Sequence, residues 1–299
     1  MSKEFAPKSR GTWWLRLVGP IAAVVLLWRV DVQEVGASLA EVRARPLAWS
    51  LLLVGPLFVI KAWRWRLLLD ACGVPISLLE ASRLYAIAAG AGSITPGAVG
   101  DFWKGLMPAV GSRSIGLWTS ALDRLYDVIL LLLLGFGVAV GWMQSGTQRL
   151  LAASLLVAAV AGGWSARGRL LHFAASFLPR FPPATSALYR SIAPACTATM
   201  LAALIAFARF ELVVEALGIR LEWQQIFVAF VLSSGAAALP LSVAGLGTRD
   251  IALVGYLRRC GVTSVHAIAL SSLCLLLFLW NGVVAGCLWF AKPAALKIR

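Results

Sequence analysis

Charge is scarce in this sequence, and acid is scarcer than base. Of 299 residues only 13% are Asp, Glu, Lys or Arg, whereas 60% are hydrophobic. A soluble domain carries about twice that charged share, so a single water-soluble globule is excluded. Intrinsic disorder fails too, because it needs low hydrophobicity. Cysteine is limited to Cys72, Cys196, Cys260, Cys274 and Cys287, an odd number with no CxxC pair. That excludes a disulfide framework or thiolate metal cage, and the five read as reduced core residues. Only two histidines occur, His172 and His266, far apart and outside any HExxH spacing. GxSxG, Walker A and DxD are missing as well. The expectation is therefore no enzyme, no cofactor and no metal.

What is present is apolar length. A membrane helix needs roughly 20 mostly apolar residues. Residues 13–30, 47–69, 115–142, 149–165, 194–217 and 267–291 meet that need, predicting about six full transmembrane helices. The first, with no small-residue cleavage site after it, reads as an anchor helix. Two further apolar stretches, 81–110 and 224–258, are broken by Gly and Pro: AGAGSITPGAVGD at 89–101 and ALPLSVAGLGTRD at 238–250. Irregular backbone at membrane depth survives only where protein or water covers it, which predicts two re-entrant helical hairpins. Two short kinked spans for each is the alternative. Hinge glycines and prolines are Gly90, Pro96, Gly97, Gly100, Gly235, Pro240, Gly245 and Gly247.

The 27 basic residues outnumber the 13 acidic ones, for a formal charge of +14. In an apolar chain this excess points to cytoplasmic loops and anionic headgroups, with no nucleic acid partner. Lys3, Lys8 and Arg10 share a side with Lys292, Lys297 and Arg299, so both termini are expected in the cytoplasm.

Self-similarity appears at an offset of 145: RWRLLLDACGVPI at 64–76 aligns without a gap on RFELVVEALGIRL at 209–221. Matches at Arg64/Arg209, Asp70/Glu215 and Gly73/Gly218 carry more weight than those at Leu or Ala. Four segments follow. Residues 1–45 hold a cytoplasmic tail and the first helix; 46–145 form repeat 1; 146–192 form a connecting span and loop; 193–299 form repeat 2 and a cytoplasmic tail. Each repeat reads as span, re-entrant hairpin, span, and the crossings between them give an inverted repeat. The predicted class is an all-α integral membrane protein, and inverted repeats with broken helices characterise alternating-access transporters.

Several ionisable residues stand inside apolar runs, where each costs at least ~2.5 kcal/mol unless paired or hydrated. Asp123 and Asp127 share one helix face at i,i+4, with Arg124 beside them. Arg64 and Arg209 are repeat mates, and Glu211 follows the second. Asp101 with Lys104, and Arg249 with Asp250, follow the Gly-rich breaks. These ten are the candidate headgroup and translocation path. Broken-helix N-termini and buried bases suit an anion such as a lipid phosphate. Lys61, Arg66 and Glu215 read as snorkelling at span ends.

RWRLLLDACG at 64–73, ITPGAVGDFWK at 94–104, ALDRLYD at 121–127 and PLSVAGLGTRD at 240–250 together resemble the transmembrane region of lysylphosphatidylglycerol synthases and its stand-alone relatives, over roughly residues 45–290. The resemblance implies a flippase-like module of a bacterial or archaeal cytoplasmic (inner) membrane. Its implied partner is a membrane lipid: an anionic phospholipid, an aminoacylated lipid or a polyprenyl phosphate. A membrane enzyme partner, with this chain only presenting lipid to it, is the alternative. Synthase activity belongs to a separate soluble domain in the fused enzymes and is not carried over. Ala98-Val99, Asp250 and Trp280-Asn281 depart from the family pattern and leave headgroup choice open.

Overall fold

The structure, a computed structural model, describes residues 36–37, 39–95, 99–141, 146–147, 154, 186–238 and 247–291. The spans expected at 13–30 and, but for residue 154, at 149–165 lie outside the described residues. So do Pro96, Gly97, Pro240 and Gly245. Among the described residues the chain is all helix and turn, without a strand. The helices are α1 (Ala44–Leu52), α2 (Val54–Ala71), α3 (Leu78–Ile94), α4 (Trp103–Leu106) and α5 (Arg113–Gly141). They continue with α6 (Ser186–Ala216), α7 (Trp223–Ala238), α8 (Thr248–Arg259) and α9 (Ser264–Ala291). Helices α1 and α2 jog at Leu53 but form one apolar run of 28 residues; with α5, α6 and α9 that makes four described stretches long enough to cross a membrane. Their outer faces carry exposed Leu52, Leu132, Leu204 and Leu279, as lipid contact allows.

Helices α2 and α6 stop in the same way. Gly73, at φ 77°, donates its N–H to the Asp70 carbonyl at 3.1 Å, and Val74 donates to Leu69 at 3.0 Å. Gly218, at φ 66°, donates to Glu215 at 2.9 Å, and Ile219 donates to Val214 at 3.2 Å. This is a Schellman stop, whose left-handed residue favours glycine. The next helix starts in step: Ala81 N–H to the Ser77 carbonyl at 2.9 Å, Ile226 N–H to the Glu222 carbonyl at 3.0 Å. Every donor and acceptor here is offset by 145 from its counterpart. Gly73→Ala and Gly218→Ala are each expected to destabilise the chain by about 1 kcal/mol, the usual cost of a Cβ at positive φ. Denaturant titration in detergent micelles checks whether the two costs agree.

Two cores are built from corresponding residues. Trp65, Leu69 and Ala81 are buried in one, and Phe210, Val214 and Ile226 in the other. Helix α2 packs along α6, the two repeat mates side by side. Helix α3 packs most extensively on α9, and α7 reaches across to α5, so each half's second helix lies on the other half's last one. Close backbone approach makes this possible at Gly90, where a Cβ would run into that of Ala285. At Gly100 a Cβ would strike the backbone of Ala91 and Gly92. Gly235 has open space around its Cβ position, so packing gives no reason for glycine there.

After Ile94 the chain turns back. Thr95 Oγ1 donates to the Ala91 carbonyl at 3.1 Å and accepts the Gly100 N–H at 2.8 Å. Two 3-10 turns, Val99–Phe102 and Pro108–Val110, bracket the single-turn α4 before α5 begins. This compact return carries Asp101 and Lys104 beside α5.

Candidate functional site

The site begins with Arg64, which α2 buries completely. A guanidinium without water needs its donors matched by acceptors. Its Nε donates to Asp123 Oδ1 at 2.6 Å, and its Nη1 donates to Asp127 Oδ1 at 2.7 Å and to Thr199 Oγ1 at 2.9 Å. The i,i+4 spacing on α5 brings both carboxylates to one guanidinium. Each carboxylate then takes a second cation. Lys104 Nζ lies 2.5 Å from Asp123 Oδ2, and Lys61 Nζ lies 3.0 Å from Asp127 Oδ2. Lys104 also sits 3.9 Å from the Tyr85 ring centroid and 5.4 Å from that of Trp65, a cation–π seat for a desolvated ammonium. Arg124 turns away from this group and pairs with Asp101 at 3.2 Å. Its pair is partly exposed, at 32% and 26%, whereas Asp123 is 2% exposed.

Lys61, Arg124 and Asp127 line a cavity of about 230 Å³, with Thr199 and Ser234 completing its polar end. The remaining wall is apolar, with Leu130 and Leu134 from α5, Ala202 and Ala206 from α6, and Phe230 from α7. The cavity thus lies where α5 meets α6 and α7. One end offers charge and the rest offers hydrocarbon.

The other candidates gather elsewhere. Arg249 Nη2 donates to Asp250 Oδ1 at 3.0 Å and to the Ser271 carbonyl at 3.2 Å. Asp250 accepts the Gly247 N–H at 2.9 Å at the start of α8 and is also bound by the Ser271 hydroxyl. Arg209, the mate of Arg64, has no carboxylate among its described contacts: its Nε donates to the Ser50 carbonyl at 2.8 Å, and Ser50 Oγ returns a bond to the Arg209 carbonyl at 3.0 Å. Its Nη2 is buried and has no partner among the described residues. Glu211 is exposed on α6. The ten candidate residues therefore divide into one linked group (Arg64, Lys104, Asp123 and Asp127), the Asp101–Arg124 pair, the Arg249–Asp250 pair, Arg209 in a separate contact with Ser50, and an exposed Glu211.

Sequence reading missed three contributors. Lys61 looked like a snorkelling residue but is paired with Asp127 at the cavity wall. Thr199 and Tyr85 are uncharged, and only the presence of a polar group within an apolar helix hinted at them. Arg66 and Asp70 do form a half-exposed i,i+4 pair at 3.4 Å, as expected near a span end.

Comparison with protein families supplies the context for this site. The description Lysylphosphatidylglycerol synthase TM region matches residues 13–286. The chain belongs to that family. The match begins well before the first quoted motif, so it takes in residues outside the described structure as well as both halves of it. Membership makes the chain a multi-pass membrane protein of a family named for a lipid-handling membrane region. Comparison with curated proteins finds no match.

Proposed function

We propose that this chain moves an amphiphile with an anionic headgroup, of the phospholipid or polyprenyl-phosphate type, from one leaflet to the other. The observation that carries the proposal is the cavity between α5, α6 and α7, polar at the Lys61–Arg124–Asp127 end and apolar along its wall. Such a lining suits a molecule with one charged end, whose tails stay against Leu and Ala. Family membership supports a lipid over a soluble solute. Matched helix stops at offset 145, and the exchange of packing partners between α3–α9 and α7–α5, support two repeated halves, which we take as inverted. In that arrangement rocking of one half against the other would expose the cavity to each leaflet in turn. Asp101, Lys104, Asp123 and Arg124 would serve one half of the path, and Arg209, Arg249 and Asp250 the other. Nothing is covalently changed in such a cycle.

The test is leaflet exchange of labelled phospholipid in proteoliposomes holding purified protein. Wild type is expected to exceed protein-free vesicles at least tenfold. Arg124→Ala, Asp101→Asn and Asp250→Asn, each verified as folded, are expected to fall toward the vesicle background. Unchanged exchange in all three variants would remove these residues from the path. A wild-type protein silent by itself, yet stimulating a lipid-modifying enzyme added to the same vesicles, would replace translocation with presentation of lipid to that enzyme.

A further inference from the structure

The donors and acceptors at the polar end of the cavity do not balance. Three cations, Lys61, Arg64 and Lys104, meet two carboxylates, Asp123 and Asp127, in linked ion pairs, and Arg124 and Asp101 form a separate neutral pair. Every oxygen of the two shared carboxylates is engaged: Asp123 by Arg64 and Lys104, Asp127 by Arg64 and Lys61. An ammonium has three donors and a guanidinium five. Lys61 and Arg124 therefore face the cavity with donors left over, and Arg64 Nη2 is buried with no partner among the described residues. Among the described residues one formal positive charge is left without a counter-charge in an apolar helical surrounding. Such a charge is costly until an anion arrives.

We infer that the cavity selects a headgroup carrying one net negative charge and only acceptor oxygens toward the protein, a phosphodiester, over headgroups made neutral or cationic by an amine. The inference rests on the reading of the cavity as a lipid headgroup site and adds its selectivity. A phosphodiester supplies unfilled acceptors to Lys61 and Arg124 and cancels the residual charge. A headgroup ammonium meets two cations at the wall, and the charge of Asp127 is already shared by Arg64 and Lys61. Lys61 is the residue that sets the preference, because it stands at the wall and its removal brings the formal sum to zero.

Three lipids with identical acyl chains test this in proteoliposomes: phosphatidylglycerol, phosphatidylethanolamine and lysylphosphatidylglycerol, with net charges of −1, 0 and +1. The anionic lipid is expected to exchange at least tenfold faster than the cationic one at low salt, with the neutral lipid between them. Lys61→Gln is expected to shrink the gap to less than threefold. Equal rates for the three lipids, or a faster cationic lipid, overturn the selectivity and leave translocation standing. If no lipid exchanges above protein-free vesicles, translocation falls instead, and melting in detergent with dihexanoyl phosphatidylglycerol or its lysyl ester decides the selectivity. Stabilisation by the first alone upholds it. Equal stabilisation, preference for the ester, or none from either overturns it.

Discussion

Asp123→Ala is expected to be among the most damaging single substitutions in the chain, costing about 3–5 kcal/mol, the range for removing one partner of a buried ion pair. Asp123 is 2% exposed and holds two cations, Arg64 and Lys104, which are themselves buried. Without it, Lys104 keeps the faces of Tyr85 and Trp65 and the more distant charge of Asp101, with no hydrogen-bonded carboxylate among the described residues, and Arg64 keeps Asp127 and Thr199. The residual formal charge in the cluster rises from one to two. Lys104→Met in the same chain removes one of the stranded cations, so the double variant should recover part of the loss. Unfolding in a mild detergent, followed by helical circular dichroism, checks both. A single variant as stable as wild type would mean that water reaches these groups freely. A double variant no better than the single one would mean that Arg64, rather than Lys104, carries the penalty.

The same cluster explains how far the sequence could be read. Asp123 and Asp127 announced themselves because two acids four residues apart inside an apolar run need a cation. Arg64 was equally legible as a charge at depth, and the offset of 145 tied it to Arg209. Which acid meets which base was not legible. Arg124 is adjacent to Asp123 in sequence yet pairs with Asp101, because successive helical residues point about 100° apart and do not face each other. The repeat also misleads in one respect. It equates Arg64 with Arg209, but the second half has no acids corresponding to Asp123 and Asp127. At the offset of 145 Ile268 and Ser272 stand in their places on α9, and Arg209 settles on the Ser50 carbonyl. Local features such as the Gly73 and Gly218 helix stops carry over between halves because they depend on a few consecutive residues. Long-range pairing does not carry over, since it depends on side chains from four different helices.

Gly116→Ala is expected to separate α4 from α5 and to abolish exchange, while Gly135→Ala on the same helix is expected to do neither. At Gly116 an added Cβ would strike the carbonyl of Gly105 and come within 2.8 Å of its Cα. At Gly105 it would meet the Gly116 backbone and lie 2.8 Å from Ser120 Oγ. The contact is backbone on backbone, so no side chain can turn aside, and overpacking of this kind costs about 1–3 kcal/mol. The consequence for the site is larger than the loss of stability. Lys104 precedes Gly105, and its ammonium reaches Asp123 only while α4 lies against α5. Moving α4 outward by one methyl group would stretch that 2.5 Å pair and leave a buried lysine and a buried carboxylate short of partners. Gly135 has open space around its Cβ position. There, alanine removes a poor helix former and is expected to add up to about 1 kcal/mol of stability. Melting temperature and leaflet exchange measured on both variants separate the two effects. Gly116→Ala with wild-type exchange would show that the Lys104–Asp123 pair is not needed for transport.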